Sequence, residues 1–151
     1  MFETTVHTQF GSLVIVEKDD AIVALRWGTS ARNDTTELLK KAVRQIEEYD
    51  AGTREVFDLP LRVEGSAFQR DVCDAIYAIR FGDTCTYGDI AKALDVPAQA
   101  VGQACGGNPI PIIIPCHRVM GAKGLTGFSG AGWVETKVAL LRHEKAAGLL
   151  I

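Results

Sequence analysis

Hydrophobic and polar positions divide the chain into two stretches of different rhythm. Over residues 1–28, short apolar runs alternate with turn residues. Thr4–Phe10, Leu13–Glu17 and Ala21–Trp27 read as three strands of a β-meander, with turns at Gly11-Ser12 and Asp19-Asp20. Ser30–Thr36 is polar loop, and Asp34 followed by Glu37 predicts a capping box. Leu38, Leu39, Ala42, Val43, Ile46 and Tyr49 then recur at helical spacing until Asp50-Ala51-Gly52 stops them. Phe57, Leu59 and Leu61 alternate, which predicts a fourth strand over 56–63.

Past Glu64-Gly65 the period becomes helical. Ser66 with Gln69 predicts a capped helix burying Phe68, Val72, Ile76 and Ile79 before Gly82. Thr86 with Asp89 caps a short helix that turns Ile90, Ala91 and Leu94 inward. After an Asp95-Val96 turn, Pro97 suits the first position of a helix reaching Gly106-Gly107. This pair is either a helix-turn-helix or an ordinary helical hairpin. Its second helix turns Gln99, Gln103 and Gly106 to one side. Gly121–Gly124 predicts a turn leading to Leu125-Thr126, a small wing, followed by a glycine-rich loop over 127–132. That loop lacks the Lys-Ser/Thr of a nucleotide-binding loop. Trp133 opens a last helix to about Ala147, with Val134, Val138 and Leu141 inward. The expected class is α+β, with an N-terminal α/β scaffold domain at 1–64 and a helical domain at 65–151.

Composition narrows the class. No apolar run approaches the ~20 residues of a membrane span, and the polar start lacks a signal-peptide pattern, so a cytoplasmic protein is expected. The net charge of −3 argues mildly against a nucleic-acid binder. The halves differ, however. Residues 1–65 carry eight Lys+Arg against twelve Asp+Glu, and residues 66–151 eight against seven. A DNA site in the second half is therefore electrostatically open. Cys73, Cys85, Cys105 and Cys116 form no zinc-type spacing with His7, His117 or His143, so neither metal nor cofactor is expected.

The candidate chemistry lies in Asn108–Met120, which reads Asn-Pro-Ile-Pro-Ile-Ile-Ile-Pro-Cys-His-Arg-Val-Met. Pro109, Pro111 and Pro115 fix φ and bias their neighbours toward extended backbone. With the β-branched Ile112-Ile113-Ile114 run, this predicts a rigid, buried, extended segment ending in Cys116 beside His117. A braced cysteine beside an imidazole suits a nucleophile, but a Cys-His pair alone fits a buried structural thiol as well.

The whole string Asn-Pro-x-Pro-x-x-x-Pro-Cys-His-Arg-Val resembles the active-site segment of the O6-alkylguanine-DNA alkyltransferases, also called methylated-DNA–protein-cysteine methyltransferases. The resemblance runs through about residues 66–147 and is loose over 1–65. It implies a ribonuclease-H-like N-terminal domain and a winged helix-turn-helix C-terminal domain. It also implies irreversible transfer of an alkyl group from O6-alkylguanine, and O4-alkylthymine, in double-stranded DNA to the protein's own cysteine. Docking would be in the minor groove, with the base flipped out and the protein acting as a monomer. Cys116 is then the nucleophile and His117 a base working through one water. Glu144, in Leu-Leu-x-His-Glu, orients the imidazole, although a carboxylate there also fits a solvated helix end. Asn108 holds the segment. Tyr87, in Thr-Tyr-Gly-Asp-Ile-Ala, contacts the flipped base, and Arg118, Val119 and Ser129 fall at substrate or DNA positions. Gln99 and Gln103 face the duplex. Gln99 stands where the family has an arginine that fills the gap left by the base, and Gly106 where a basic residue is common. Phe128 replaces a frequent tyrosine. Two further classes fit parts of the same pattern: a non-catalytic lesion sensor or DNA-binding regulator on the same fold, and a Cys-His-Glu hydrolase.

Overall fold

In this computed structural model, residues 1–121 and 133–146 are described. The chain divides into two compact units, Met1–Glu64 and a second from Gly65 onward.

The first unit is an antiparallel sheet of β1 (Phe2–Thr8), β2 (Gly11–Lys18) and β3 (Ala21–Trp27) in sequential order, with α1 (Glu37–Asp50) packed on β1 and β2. The first hairpin pairs Thr8 with Gly11, so its turn is Gln9-Phe10 and not Gly11-Ser12. Gly11 takes φ 128 just after that turn, a conformation glycine adopts without steric cost. The second turn is at Asp19-Asp20 as expected, both residues at positive φ, which matches the right-handed twist of a two-residue hairpin. Central strand β2 is buried from Leu13 through Glu17, on both faces.

Two further expectations for this unit fail. Thr36, not Asp34, caps α1, its hydroxyl accepting from Leu39 N at 3.1 Å. Asp34 is drawn instead to the sheet edge, where its carboxylate accepts from Glu3 N at 2.9 Å. Residues 56–63 form no strand. Leu61 makes one parallel bridge to Ile22, and Pro60 offers β3 only a carbonyl. The buried Gln45 amide acts as strand partner in its place, donating to Asp58 O at 3.1 Å and accepting from Asp58 N at 2.9 Å. Phe57 and Leu59 still bury as the alternation requires.

The second unit is helical. It contains α2 (Ala67–Tyr77), β4 (Cys85–Thr86), α3 (Tyr87–Leu94), α4 (Ala98–Gly106), a single 3₁₀ turn at Cys116–Arg118, β5 (Val119–Met120) and α5 (Trp133–His143). Ser66 caps α2 but Gln69 does not complete the box. Its amide donates instead to Ala104 O at 2.8 Å, pinning α2 to α4. α2 ends at Tyr77, before Gly82, and buries Val72, Cys73 and Ile76, with Phe68 and Ile79 half-buried. The Thr86/Asp89 capping box is complete. Asp95 ends α3 in the left-handed region at φ 56, and its N–H and that of Val96 close the last carbonyls. Pro97 sits at the cap of α4, one place before the expected first position. β4 and β5 pair in parallel, Cys85 with Val119 and Thr86 with Met120. α5 ends at His143, short of the expected Ala147, because Lys145 turns left-handed. The expected wing beyond Gly121 and the 127–132 loop with Phe128 and Ser129 lie outside the described residues.

Candidate active site

The segment leading to Cys116 is buried from Ile110 to Val119, as its composition requires, but it is not extended. Ile114 N reaches back to Ile110 O at 2.9 Å, and Ile113 N to Pro111 O at 2.9 Å. The second bond closes a γ-turn over Ile112, whose φ is 72. A β-branched residue at positive φ costs on the order of 1–3 kcal/mol and persists only where its surroundings impose it. The prolines restrict φ, yet they also remove three donors, so the isoleucines coil rather than pair. Asn108 holds the coil at both ends. Its Oδ1 accepts from Ile110 N at 3.0 Å, and its Nδ2 donates to Ile114 O at 2.8 Å. Pro115 (φ −82, ψ 66) makes a second γ-turn, with Cys116 N bonded to Ile114 O at 2.8 Å. The sulfur thus sits at the exit of two consecutive tight turns.

The 3₁₀ turn then sends His117 and Arg118 inward, to 1% and 6% exposure. Both meet Glu144, at the end of α5. His117 Nε2 lies 2.7 Å from Glu144 Oε2, Arg118 Nε donates to Oε1 at 2.8 Å, and Arg118 Nη2 donates to Oε2 at 3.1 Å. Arg118 Nη1 donates to Ile79 O at 2.6 Å, and its guanidinium lies 5.7 Å from the Phe81 ring centre. His117 Nδ1 is buried with no hydrogen-bond partner among the described residues. Glu144 is placed by the helix end itself. Lys145 turns left-handed at φ 52, and Ala146 N bonds to Leu141 O at 3.0 Å, which closes the helix and leaves the Glu144 side chain facing inward.

Electrostatics follow from burial and pairing. Burial raises the Glu144 carboxyl, but the bonds and charges of His117 and Arg118 outweigh it and hold it down to about 2. Burial pushes the His117 imidazole below its ordinary value, with Glu144 opposing. Burial likewise pushes the Cys116 thiol up, with the Asn108 side chain and Lys137 pulling the other way. Cys116 therefore rests as a thiol. Its proton must be taken at the moment of reaction.

Lys137 is the residue that sequence reasoning missed. It is fully buried, donates from Nζ to Val119 O at 2.5 Å, and is lowered to about 8 by burial, with Cys116 and Cys105 opposing. The available signal was its register. Lys137, Leu140, Leu141 and Glu144 follow at i, i+3, i+4 and i+7, which is the inward stripe of α5. Val134, expected inward, is 42% exposed. Tyr87, the first residue of α3, follows β4 and is brought toward the cysteine turn by the β4–β5 pairing. Burial, then the neighbouring Cys105 and Cys116, pushes its hydroxyl far up, so it remains a hydrogen-bond donor.

Residues 67–146 match the family model described as 6-O-methylguanine DNA methyltransferase, DNA binding domain, and residues 1–63 match the ribonuclease-like domain of the same family. The chain belongs to the 6-O-methylguanine DNA methyltransferase family. The constitutive methylated-DNA--protein-cysteine methyltransferase of Bacillus subtilis (strain 168) is 39% identical, with 95% of each chain covered. That of Methanosarcina acetivorans is 46% identical over 74% of this chain and 72% of its own. A crystal structure of Mycobacterium tuberculosis OGT in complex with DNA superposes with a TM-score of 0.85 at 36% identity, covering 96% of this chain and 93% of that one.

As a member of this alkyltransferase family, the chain brings Cys116, His117, Val119 and Glu144 together in one buried cluster, with Asn108 half-buried beside Cys116. Arg118, grouped from sequence with the DNA-facing positions, is a correction. Its three guanidinium nitrogens are all bonded inside the protein, and it is too buried to meet a duplex. Gln99 and Gln103 lie apart from the cluster, exposed along α4 with Gly106.

Proposed function

We propose that this chain is a DNA-repair protein that takes the alkyl group of O6-alkylguanine, and of O4-alkylthymine, in double-stranded DNA onto the sulfur of Cys116, once per molecule. The observation that carries this reading is the His117–Glu144 bond at 2.7 Å, with the buried Nδ1 of the same ring left unbonded. With Nε2–H directed at the carboxylate, Nδ1 presents a lone pair. Through one bridging water it accepts the Cys116 proton as the S–C bond forms. The C–O6 bond breaks, its electron pair goes to the purine oxygen, and a proton restores the neutral base. The thioether that remains has no leaving group for water to displace, so the molecule is used up. Lys137 favours the thiolate as it develops, and the Tyr87 hydroxyl supplies a donor to the base.

The alkyl carbon is unreachable inside a base stack, so the nucleotide must rotate out. The exposed side of α4, with Gln99, Gly102, Gln103 and Gly106, is slim, and added methyl groups at Gly102 and Gly106 would meet nothing within 4 Å. Such a face suits close approach in the minor groove, with Gln99 filling the gap. All the groups used lie in residues 65–151, with 1–64 as scaffold, so a monomer suffices. All four cysteines are free thiols, as a reducing cytoplasm would keep them, and no described helix is long and apolar enough to cross a membrane.

The test is stoichiometry. With excess O6-methylguanine duplex, transfer should stop at one methyl group per protein, and Cys116→Ser should bind the duplex without removing any. Continued turnover would point to a hydrolase, and binding without transfer by the unmodified protein to a lesion sensor.

A further inference from the structure

Among the described residues, both His117 and Arg118 bond to Glu144, and the transfer described above uses only His117. A buried carboxylate beside an imidazole ordinarily draws a proton onto the ring, because the ion pair is cheaper than a lone buried charge. A base already protonated cannot take the cysteine proton. Arg118 alters that balance. Its fork reaches both carboxylate oxygens, at 2.8 and 3.1 Å. We propose that Arg118 is a positioning residue for the transfer: its guanidinium offsets the Glu144 charge, so that His117 stays a neutral imidazole with Nδ1 open to accept a proton. This rests on the alkyl-transfer reading.

The charged groups facing the ring support it from each packed element. α5 supplies Glu144 and Lys137, and the 3₁₀ turn supplies Arg118 and Cys116. With Arg118 and Lys137 positive, Glu144 negative and Cys116 a thiol, these four described groups together carry one net positive charge. A proton arriving on His117 from solvent would add a second in a dry site. A proton passed from Cys116 to His117 leaves the total unchanged, because the thiolate and imidazolium form together. The arrangement therefore resists protonation from outside and permits it from the nucleophile. Glu144 stays ionised under both partners, so its remaining effect on the ring is to fix Nε2 as the protonated nitrogen.

Two measurements test this. In ¹⁵N-histidine spectra of the unmodified protein at pH 7, His117 should be the neutral Nε2–H tautomer, and an imidazolium signal would overturn the proposal. In single-turnover transfer, Arg118→Met should move the acid limb of the rate–pH profile upward by about one unit, equivalent to a rate about tenfold lower on the acid side of the limb that recovers toward alkaline pH. Arg118→Lys keeps the charge and should leave the limb in place. A limb unmoved in Arg118→Met, with the rate reduced equally at every pH, assigns Arg118 to packing alone. If that variant does not fold, the tautomer and the lysine profile decide. Absence of transfer by the unmodified protein is a different failure, that of the alkyl-transfer reading, and the tautomer measurement stands apart from it.

Discussion

Lys137 Nζ donates to the Val119 carbonyl across 2.5 Å, which joins the middle of α5 to the strand leaving the cysteine turn. One side chain thus fixes the floor of the site and places a cation beside the developing thiolate. Lys137→Met keeps the length and removes both effects. Single-turnover transfer should slow at least tenfold, while unfolding stability falls by about 1–3 kcal/mol for the orphaned carbonyl. Rates and thermal melts on the same samples separate the two. A variant that melts earlier but transfers at the original rate would make Lys137 a tether only.

Asn108 makes the corresponding connection at the other end of the turn. Asn108→Ala leaves Ile110 N and Ile114 O without their side-chain partner, so a loss of about 2 kcal/mol or more is expected, together with slower transfer from a less fixed sulfur. Asn108→Asp keeps the acceptor for Ile110 N, loses the donor to Ile114 O, and adds negative charge near the thiol. It should transfer more slowly than its stability alone implies. Urea unfolding beside transfer rates makes the comparison.

Acid stability reports on Glu144. Its carboxyl is held at about 2, below its ordinary value of 4.5, so the unfolded chain binds more protons in that window. The contribution is present above about 4.5 and is lost as pH falls toward 2. A shift of that size corresponds to roughly 3 kcal/mol. His117, lowered by burial, acts with the same sign below its ordinary 6.5, because the unfolded ring gains a proton first. Unfolding free energy measured against pH should therefore fall through both windows, and Glu144→Gln should flatten the lower one. Parallel curves for the two proteins would contradict the assignment.

Much of this was legible in the sequence, for reasons that differ by element. The meander and α1 follow from apolar spacing, and the Thr86/Asp89 box was readable because all its partners are local. The 56–63 strand failed because alternation reports burial and not pairing, and a glutamine from α1 took the ladder's place. The isoleucine run misled in the same way, since β-branched residues predict extension and only the Asn108 bonds reveal a coil. In the site, Cys116, His117 and Glu144 carried a motif that could be matched. Lys137 and the true place of Arg118 did not, because both depend on contacts between α5 and a turn many residues away.

Gln99 is exposed on α4, at the position where the resemblance implies an arginine. Gln99→Arg should raise duplex affinity and steepen the log–log salt dependence by roughly one unit, for one added phosphate contact. Reaction with free O6-benzylguanine needs no base rotation and should keep its rate. Binding titrations at several salt concentrations, beside the free-base rate, make the test. An unchanged salt slope, or equal loss on both substrates, would remove Gln99 from the duplex contact.

Under the proposed function, one sulfur among four receives the alkyl group. Burial raises all four thiols, Cys85 to about 11 and Cys105 to about 12, so acidity does not single out the acceptor. Only Cys116 stands at the end of a braced turn next in sequence to an imidazole held by a carboxylate. Peptide mapping by mass spectrometry after reaction with O6-methylguanine duplex should find one methyl group, on the peptide containing Cys116. Methyl on Cys73, Cys85 or Cys105, or none on a protein that has cleared the lesion, would contradict the account.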